Sequence, residues 1–573
     1  MQHGERLSYA VVVVPALGLL VVSWFTRRFA PEAQGHGVPE VIMAVARNDG
    51  RIRPQVSAVK ILASAMCIGT GGSVGREGPI VQIGSSLGSV TAQFFRLPVS
   101  GIKVLVASGA AAGISATFNA PLAGVIFASE IILGSFAVES LTPIVIASVL
   151  ANVVQKRIGE YGLNAAFPQL YYRYVGSWSQ LPTYLALGCL AGIAAVLFIK
   201  FLYWMEDFGG KKIKDYRVRA VTMGLIVGVV GILYPMTPPN LSETESQGHL
   251  FHTPALFGVG YTVVDHSLHL DTLDANAQEP SNLPSGRSKV VRMDRTAMMK
   301  ELLWLLPLVF LKPVLTSITL SGGGSGGVFA PSLFLGATLG GSFGLICNLL
   351  LPGISASPGV YAIVGMGAVV AGTTQGVLSA ILIVYELTND YHIILPIMAA
   401  AGLSSIVAQS IDPESIYHKK ISRRGFRLAR GHDMHRMEHV MVRDVMIRDF
   451  PVLKQTDNLE RIVRVARSNI HIESLPVMNS SGQMVGLIRS EDLHRVLDTD
   501  VGADWVNADD IAVPVAAAIS PNLNLLEALR DFGARDIETL PVEENRDGKK
   551  QLVGLLLRND VMRRYRAEML RMH

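Results

Sequence analysis

The sequence predicts an all-α polytopic membrane domain followed by a soluble α/β pair, and three observations predict it. Half of the 573 residues are hydrophobic and only 17% are charged, well below the roughly 25% of soluble domains. Long apolar runs recur up to about residue 410, among them YAVVVVPALGLLVVSWF, LPTYLALGCLAGIAAVLFIKFLYW and LLWLLPLVF. Several approach the ~20 residues that cross a bilayer core, and others are broken by Gly and Pro. Beyond residue 440 the pattern becomes one of amphipathic helices and short strands, and it occurs twice.

Composition also excludes classes. A net charge of +4, with no basic stripe interleaved by aromatics, gives no reason to expect nucleic acid. Cys67, Cys189 and Cys347 lie singly in apolar segments and read as core residues, not as disulfide partners or metal ligands. No nucleophile–base pair or metal cluster stands out, so an enzyme is not expected. Residues 9–25 are followed by Arg27 and Arg28 instead of a small-residue cleavage site, which favours a retained membrane helix over a signal peptide.

Helix-compatible apolar segments fall near residues 9–25, 57–68, 79–95, 102–117, 121–137, 141–155, 181–204, 219–235, 301–318, 328–350, 359–371, 376–388 and 391–410. Residues 237–296 form a long polar insert, expected to be exposed and mobile or functionally specialised. Lys419, Lys420, Arg423, Arg424, Arg427 and Arg430 crowd after the last apolar segment, which argues that this end is cytoplasmic. The predicted organisation is a transmembrane domain over 1–412, a basic juxtamembrane linker over 413–439, and tail motifs over 440–500 and 501–573.

In the tail, SLPVMNSSGQMVGLIRSEDL from Ser474 matches TLPVEENRDGKKQLVGLLLRNDV from Thr539. Each reads as strand, turn, strand and helix, preceded by the amphipathic stretches NLERIVRVARS and NLLEALRDFGA. The linker's His432, His435 and His439 have helical spacing but no cysteine nearby, and a solvated linker is expected over a metal site.

The apolar part carries a subtler repeat. GREGP at Gly75 has a counterpart in GGVFAP at Gly326, each leading into an apolar helix, and FNAPLAGVIFASE ends in Glu130 as TTQGVLSAILIVYE ends in Glu386. Both offsets are about 250 residues, the mark of one unit used twice, with glycine-broken helices meeting at the midplane to build an ion site. A third break, GHGVPEV at Gly35, shares the placement of proline near a helix start, where its missing N–H costs nothing. Free N–H groups and the positive end of a helix dipole offer an anion several partial charges, a grip moderate enough to permit flux. Two plainer readings exist. Glycine also serves tight helix packing, and GTGGSVGREG is rich enough for a nucleotide loop, although no G-K-[ST] follows it.

GREGP, GVFAP and the Gly-His-Gly-Val-Pro stretch, in a polytopic chain, resemble the CLC chloride channels and transporters. The paired tail modules resemble the CBS pair of many CLC proteins. Matches as long as FNAPLAGVIFASE and GREGPIVQIG carry the resemblance, which covers nearly the whole chain. It implies the CLC inverted-repeat fold with broken helices, a multi-pass protein of the cell or inner membrane, and a homodimer with one anion pathway per subunit. It implies no cofactor, chloride or a similar small anion being the transported ligand. It further implies that Glu77 is the gating carboxylate, and that Gly35, His36, Gly37, Arg76, Gly78, the N–H groups of Val328 and Phe329 and the hydroxyl of Tyr417 line the anion path. The role suits Glu77 physically: a carboxylate amid N–H donors takes an anion's place until protonation removes its charge. A salt bridge to Arg76 is the bland alternative for Glu77, and an interfacial belt position is that for Tyr417.

Departures from the family sharpen the expectation. Where the family often has serine, this chain has His36; either the imidazole tunes pH response or anion preference, or only the backbone matters and the ring turns to solvent. Proton-coupled members carry a glutamate directly after the one matching Glu130, but here that residue is Ile131, which cannot relay a proton. The expected function is therefore passive conduction through a voltage-gated CLC-type chloride channel, with an H+-coupled Cl−/H+ antiporter of the same fold as the alternative. The family usually begins with one more helix, which points to a late start, a truncation or a real difference at the N-terminus. Asp492 and Asp560 follow Gly486 and Gly554 at the spacing of nucleotide-binding CBS motifs, but Arg489 and Leu557 stand at the hydroxyl position. A dimerisation module is expected there ahead of an adenine-nucleotide site. Lys60, Lys103 and Lys312, in apolar segments, either tune the field in the pore or snorkel.

Overall fold

In a computed structural model of the full chain, the described residues are 10–158, 178–234, 238–239, 254–270, 294–351, 354–426, 440–469, 474–497, 506–514, 518–535, 537–546 and 549–570. Two compact units divide the chain, Met1–Leu428 and Ala429–His573.

Helices build the first unit. Among the described residues, eight helical stretches are long and apolar enough to cross a membrane: Val11–Phe29, Val99–Phe118, Val138–Ile158, Trp178–Lys212, Tyr216–Leu233, Arg295–Ser321, Phe329–Leu350 and Tyr391–Arg423. Shorter apolar helices, Gln55–Gly69, Pro121–Leu133, Pro358–Thr374 and Val377–Thr388, lie among them. The protein is thus a multi-pass integral membrane protein. Leu17, Leu62, Leu150, Leu197, Phe310 and Leu395 are exposed on outward faces, an arrangement that lipid permits and water would penalise. Inside, helices cross at backbone distance. Gly84 of Glu77–Phe94 meets Gly109 of Val99–Phe118, and Gly336 of Phe329–Leu350 meets Gly365 of Pro358–Thr374, so closely that an added Cβ would strike the opposite carbonyl.

The internal repeat extends to charged side chains, two half-buried glutamates and two buried lysines. Glu386 accepts the Leu122 and Ala123 N–H groups at 3.1 and 2.7 Å. Glu130 reciprocates, accepting the Leu378 and Ser379 N–H groups at 3.3 and 2.8 Å and the Ser379 hydroxyl at 2.6 Å. Each carboxylate satisfies orphan amides at the helix start in the other repeat. Lys60 and Lys312 form a second matched pair, both fully buried. Lys60 Nζ donates to the Ala33 and Gly35 carbonyls at 2.9 and 2.8 Å, and Lys312 Nζ to the Leu256 and Gly258 carbonyls at 3.2 and 2.8 Å. Neither snorkels; each pins a glycine-rich loop. Lys103 is only half-buried.

Three segments differ from the sequence reading. The polar insert 237–296 hides a buried element, the helix Tyr261–Leu268, because its core FGVGYTVV is apolar between polar flanks. Much of the remaining insert lies outside the described residues. The apolar stretch 121–137 is not one helix: Pro121–Phe127 widens into a π-helical segment, Ala128–Leu133, closed by Gly134 in the left-handed region. Past residue 412, Ile416–Arg423 is a helix whose Ile416, Tyr417 and Ile421 enter the membrane core. Ion pairs fasten it, Lys420 to Glu206 at 3.4 Å, Arg424 to Glu40 at 2.8 Å, and Lys419 to Asp412. Arg427, Arg430, His432, His435 and His439 lie outside the described residues.

The second unit repeats one pattern. Ser474–Met478 pairs antiparallel with Met484–Arg489, and Leu453–Lys454 adds a parallel strand. Thr539–Arg546 pairs antiparallel with Lys549–Leu557, and Ile519 bridges Val542 in parallel. The helices Leu459–Ser468 and Ser490–Leu497 flank the first motif, and Leu525–Arg535 and Arg558–Leu570 the second.

Replacing Lys312 by methionine takes the donor from the buried Leu256 and Gly258 carbonyls, at roughly 1–3 kcal/mol each; replacing Lys60 costs less, because the Ala33 carbonyl keeps the Ser325 hydroxyl and the Gly35 carbonyl keeps the Gly326 N–H. Each variant is expected to melt below the parent in detergent, whereas Lys103→Met melts with it; equal melting of all three contradicts the pinning role.

Candidate functional site

Three glycine-rich breaks far apart in sequence fold into one knot of backbone. Gly75 N–H donates to the Gly327 carbonyl at 2.8 Å and Gly327 N–H returns the bond at 2.6 Å. Gly35 N–H reaches the Gly324 carbonyl at 3.1 Å, and Gly326 N–H reaches the Gly35 carbonyl at 3.2 Å. The knot brings together the starts of Val38–Arg47, Glu77–Phe94 and Phe329–Leu350. None has a side-chain cap; at Val38–Arg47 the Val38 and Glu40 N–H groups turn back onto the His36 and Gly37 carbonyls at 3.1 Å each, so the starts of Glu77–Phe94 and Phe329–Leu350 are the ones that present N–H groups to whatever stands in front of them. Gly37, at φ +86°, turns the chain into the first helix through the left-handed region. Gly78 meets a different demand: an added Cβ would strike the His36 carbonyl and come within 2.9 Å of the Gly327 Cα.

Tyr261–Leu268 contributes a fourth uncapped start, behind Gly260 at φ +84°. Gly258-Val-Gly260 repeats Gly35-His-Gly37, and Lys312 pins it as Lys60 pins the other. The sequence reading missed this break. Its signal was the Gly-x-Gly pair in FGVGY, but no proline marks the helix start and polar residues surround it.

Glu77 heads the second helix and is 1% exposed. The Tyr261 hydroxyl donates to its Oε1. Oε2 lies beside Gly75 and Ala330 and completes no hydrogen bond among the described residues. The carboxylate therefore stands in front of the helix that Phe329 begins, where the dipole favours negative charge. Arg76 is exposed and holds its guanidinium 5.5 Å from the Tyr261 ring centroid. Val328 and Phe329 are buried, and the Phe329 ring packs on Phe118 and Phe127 at centroid distances of 5.7 and 6.3 Å.

His36 is 1% exposed, its ring turned into the protein and away from solvent. Its Nε2 is 3.5 Å from the Tyr203 hydroxyl, its ring centroid is 6.3 Å from that of Tyr417, and its Nδ1 has no partner among the described residues. Tyr203 spends its own proton on the Ile416 carbonyl. Tyr417 is a core residue, not a belt residue. Lys420 Nζ lies beside Gly35. Tyr203, Tyr261 and Lys420 are residues of this region that the motifs did not point to, since each sits in an otherwise ordinary apolar or basic stretch.

Ile131 is buried against Gly376, and neighbouring Glu130 is spent on the Leu378–Ser379 helix start. In the tail, Asp492 is buried and held by Arg489 through contacts of 2.7 and 3.3 Å. The arginine that replaces the expected hydroxyl thus takes the aspartate itself. Asp560 pairs with Arg563 at 2.8 Å. A cavity of about 300 Å³ lies in the first tail motif, lined by Val463, Leu475, Ile488, Arg489 and His494 among others.

The family described as voltage gated chloride channel matches residues 18–409, and the CBS domain matches residues 442–499 and 508–567. The chain is 32% identical over 426 residues to the H(+)/Cl(−) exchange transporter ClcA of Vibrio parahaemolyticus, covering 73% of this chain and 80% of that one. It is 30% identical over 423 residues to the putative chloride channel protein ClcB-like of Ralstonia nicotianae, covering 72% and 86%. In structure it is similar to a slow cyanobacterial Cl−/H+ antiporter, with a TM-score of 0.57, 24% identity and coverage of 73% and 87%. It is also similar to a eukaryotic CLC transporter, with a TM-score of 0.58, 20% identity and coverage of 96% and 89%.

Removing the Tyr261 hydroxyl deprives the Glu77 carboxylate of a charge-assisted bond of roughly 1.5–3 kcal/mol. Should chloride compete with that carboxylate for the helix start, Tyr261→Phe binds chloride about tenfold more tightly by calorimetry, since the carboxylate is held less firmly. Unchanged affinity contradicts this competition.

Proposed function

This chain belongs to the voltage gated chloride channel (CLC) family, with a CBS pair behind its membrane domain, and we propose that it exchanges chloride for protons across the membrane. One observation carries the proposal: a buried carboxylate, Glu77, sits at the meeting of uncapped helix starts with one oxygen unpaired among the described residues. Charged, Glu77 stands beside Ala330 in front of the Phe329–Leu350 helix start and keeps an anion out of it. Protonated, it loses its attraction to the helix dipole and yields the place to chloride. Each cycle of the gate therefore handles one proton, and alternating occupancy by carboxylate and anion couples the two fluxes.

Passive conduction was the expectation from Ile131. The relatives at about this identity that bear an exchanger's name turn the balance toward exchange, and Ile131 then means only that the usual inner carboxylate is missing. The other parts of the proposal follow the family: two copies, each with its own pathway, and a cytoplasmic tail. The tail is proposed as a dimerisation module ahead of a nucleotide site, because Asp492 and Asp560 are already engaged by arginines.

Reconstituted vesicles with a chloride gradient test the reading, with chloride efflux and internal pH recorded together. Proton uptake accompanying efflux is expected, and Glu77→Gln should cut the proton flux at least tenfold while chloride still moves. Chloride efflux from the parent protein with no proton movement contradicts exchange and restores the channel.

A further inference from the structure

Exchange needs a group that accepts protons on the side from which the tail leaves, and Ile131 is not one. Glu130, next to it, is consumed in capping the Leu378–Ser379 helix start. His36 is a buried titratable side chain in the same knot of backbone as Glu77. Its carbonyl touches Gly78, the residue after Glu77. Its ring lies against Tyr203 and Tyr417, the latter on Ile416–Arg423, the last helix before the tail.

The hydrogen bonds assign its tautomer. Tyr203 donates its only proton to the Ile416 carbonyl, so toward His36 its oxygen acts as acceptor. The neutral imidazole therefore carries its proton on Nε2 and leaves Nδ1 as a bare lone pair. That nitrogen is buried and unpartnered among the described residues, a costly arrangement for a purely structural side chain.

We propose that His36 carries protons between the tail-side solution and Glu77, in the role that Ile131 vacates; this rests on the exchange reading above. In the inward half of the step, an O–H bond of hydronium breaks as an N–H bond forms at Nδ1. In the outward half, that N–H bond breaks as an O–H bond forms on the Glu77 carboxylate, and neutral His36 is restored. The surroundings link the step to the anion. Lys60 from Gln55–Gly69 and Lys420 and Arg424 at the last helix face this region, and Glu40 and Glu206 offset two of these three cations. Tyr203 and Tyr417 complete the ring of titratable neighbours. A proton on Nδ1 adds positive charge where positive charge is already in excess, and chloride in the pathway neutralises it. Proton and anion thus occupy the inner half of the path at the same time while crossing it in opposite directions.

Two measurements on the full-length protein test the role. In vesicles, the number of protons moved per chloride is read for the parent, His36→Gln and His36→Ser. The ratio is expected to fall at least tenfold in both variants, whatever their chloride rate. A parent with no proton movement removes the exchange reading itself, whereas a coupled parent with equally coupled variants removes only the role of His36. Calorimetry of chloride binding in buffers of differing ionisation heat gives a readout that needs no flux. Glu77→Gln is expected to take up a fraction of a proton per chloride on the acid side of the ordinary imidazole range, below about pH 6.5, and Glu77→Gln/His36→Gln to take up none. Equal uptake by the two overturns the inference.

Discussion

The constraint on which the structure turns is the orphan N–H group at a helix start inside a low-dielectric membrane. Each helix leaves its first amides unbonded, and in lipid no water is there to meet them. This chain solves the problem in two ways. At Pro121–Phe127 and Val377–Thr388 the amides receive a permanent carboxylate from the opposite repeat. At the knot formed by Gly35, Gly75 and Gly327 they receive no side-chain cap at all. The carboxylate at this knot is Glu77, which heads one of the uncapped helices and is held on one oxygen by Tyr261 at the head of another. A permanent cap makes scaffold; a removable one makes a gate.

Buried charge follows the same division of labour. Lys60 and Lys312 are fully buried, each donating to two carbonyls of a glycine-containing loop and so fixing the loop from behind. Their cost in desolvation is offset by the backbone they hold. Glu77 Oε2 and His36 Nδ1, by contrast, have no partner among the described residues. Ser73 Oγ and Gln82 Oε1 share that state; what sets the carboxylate and the imidazole apart is that each can bind and release a proton.

Much of this was legible in the sequence, for physical reasons. Helices that must bury or expose apolar faces to lipid announce themselves as apolar runs, and the breaks at Gly35, Gly75 and Gly326 stood out because proline marked each helix start. The tail repeat was readable because strand alternation and turn chemistry are local. What escaped was non-local. Tyr261 reaches Glu77 across 184 positions of sequence, and nothing near FGVGYTVV indicates that partner. The pairing of Lys60 with loop carbonyls could not be told from snorkelling, since a lysine in an apolar run looks the same either way. Ile416–Arg423 was taken for linker because its lysines and arginines outweigh its apolar residues, although Ile416, Tyr417 and Ile421 lie on one face and pull it into the core. Channel and exchanger share every motif, so the difference rested on Ile131, and the absence of one carboxylate does not reveal what replaces it.

The most direct test of the central claim is an anomalous-scattering map of the protein with bromide in place of chloride, recorded for the parent and for Glu77→Gln. The account predicts a bromide peak before the Val328 and Phe329 amides in the variant, at the place that the Glu77 carboxylate holds in the parent. A variant whose cradle stays empty while bromide binds elsewhere in the membrane domain would contradict it.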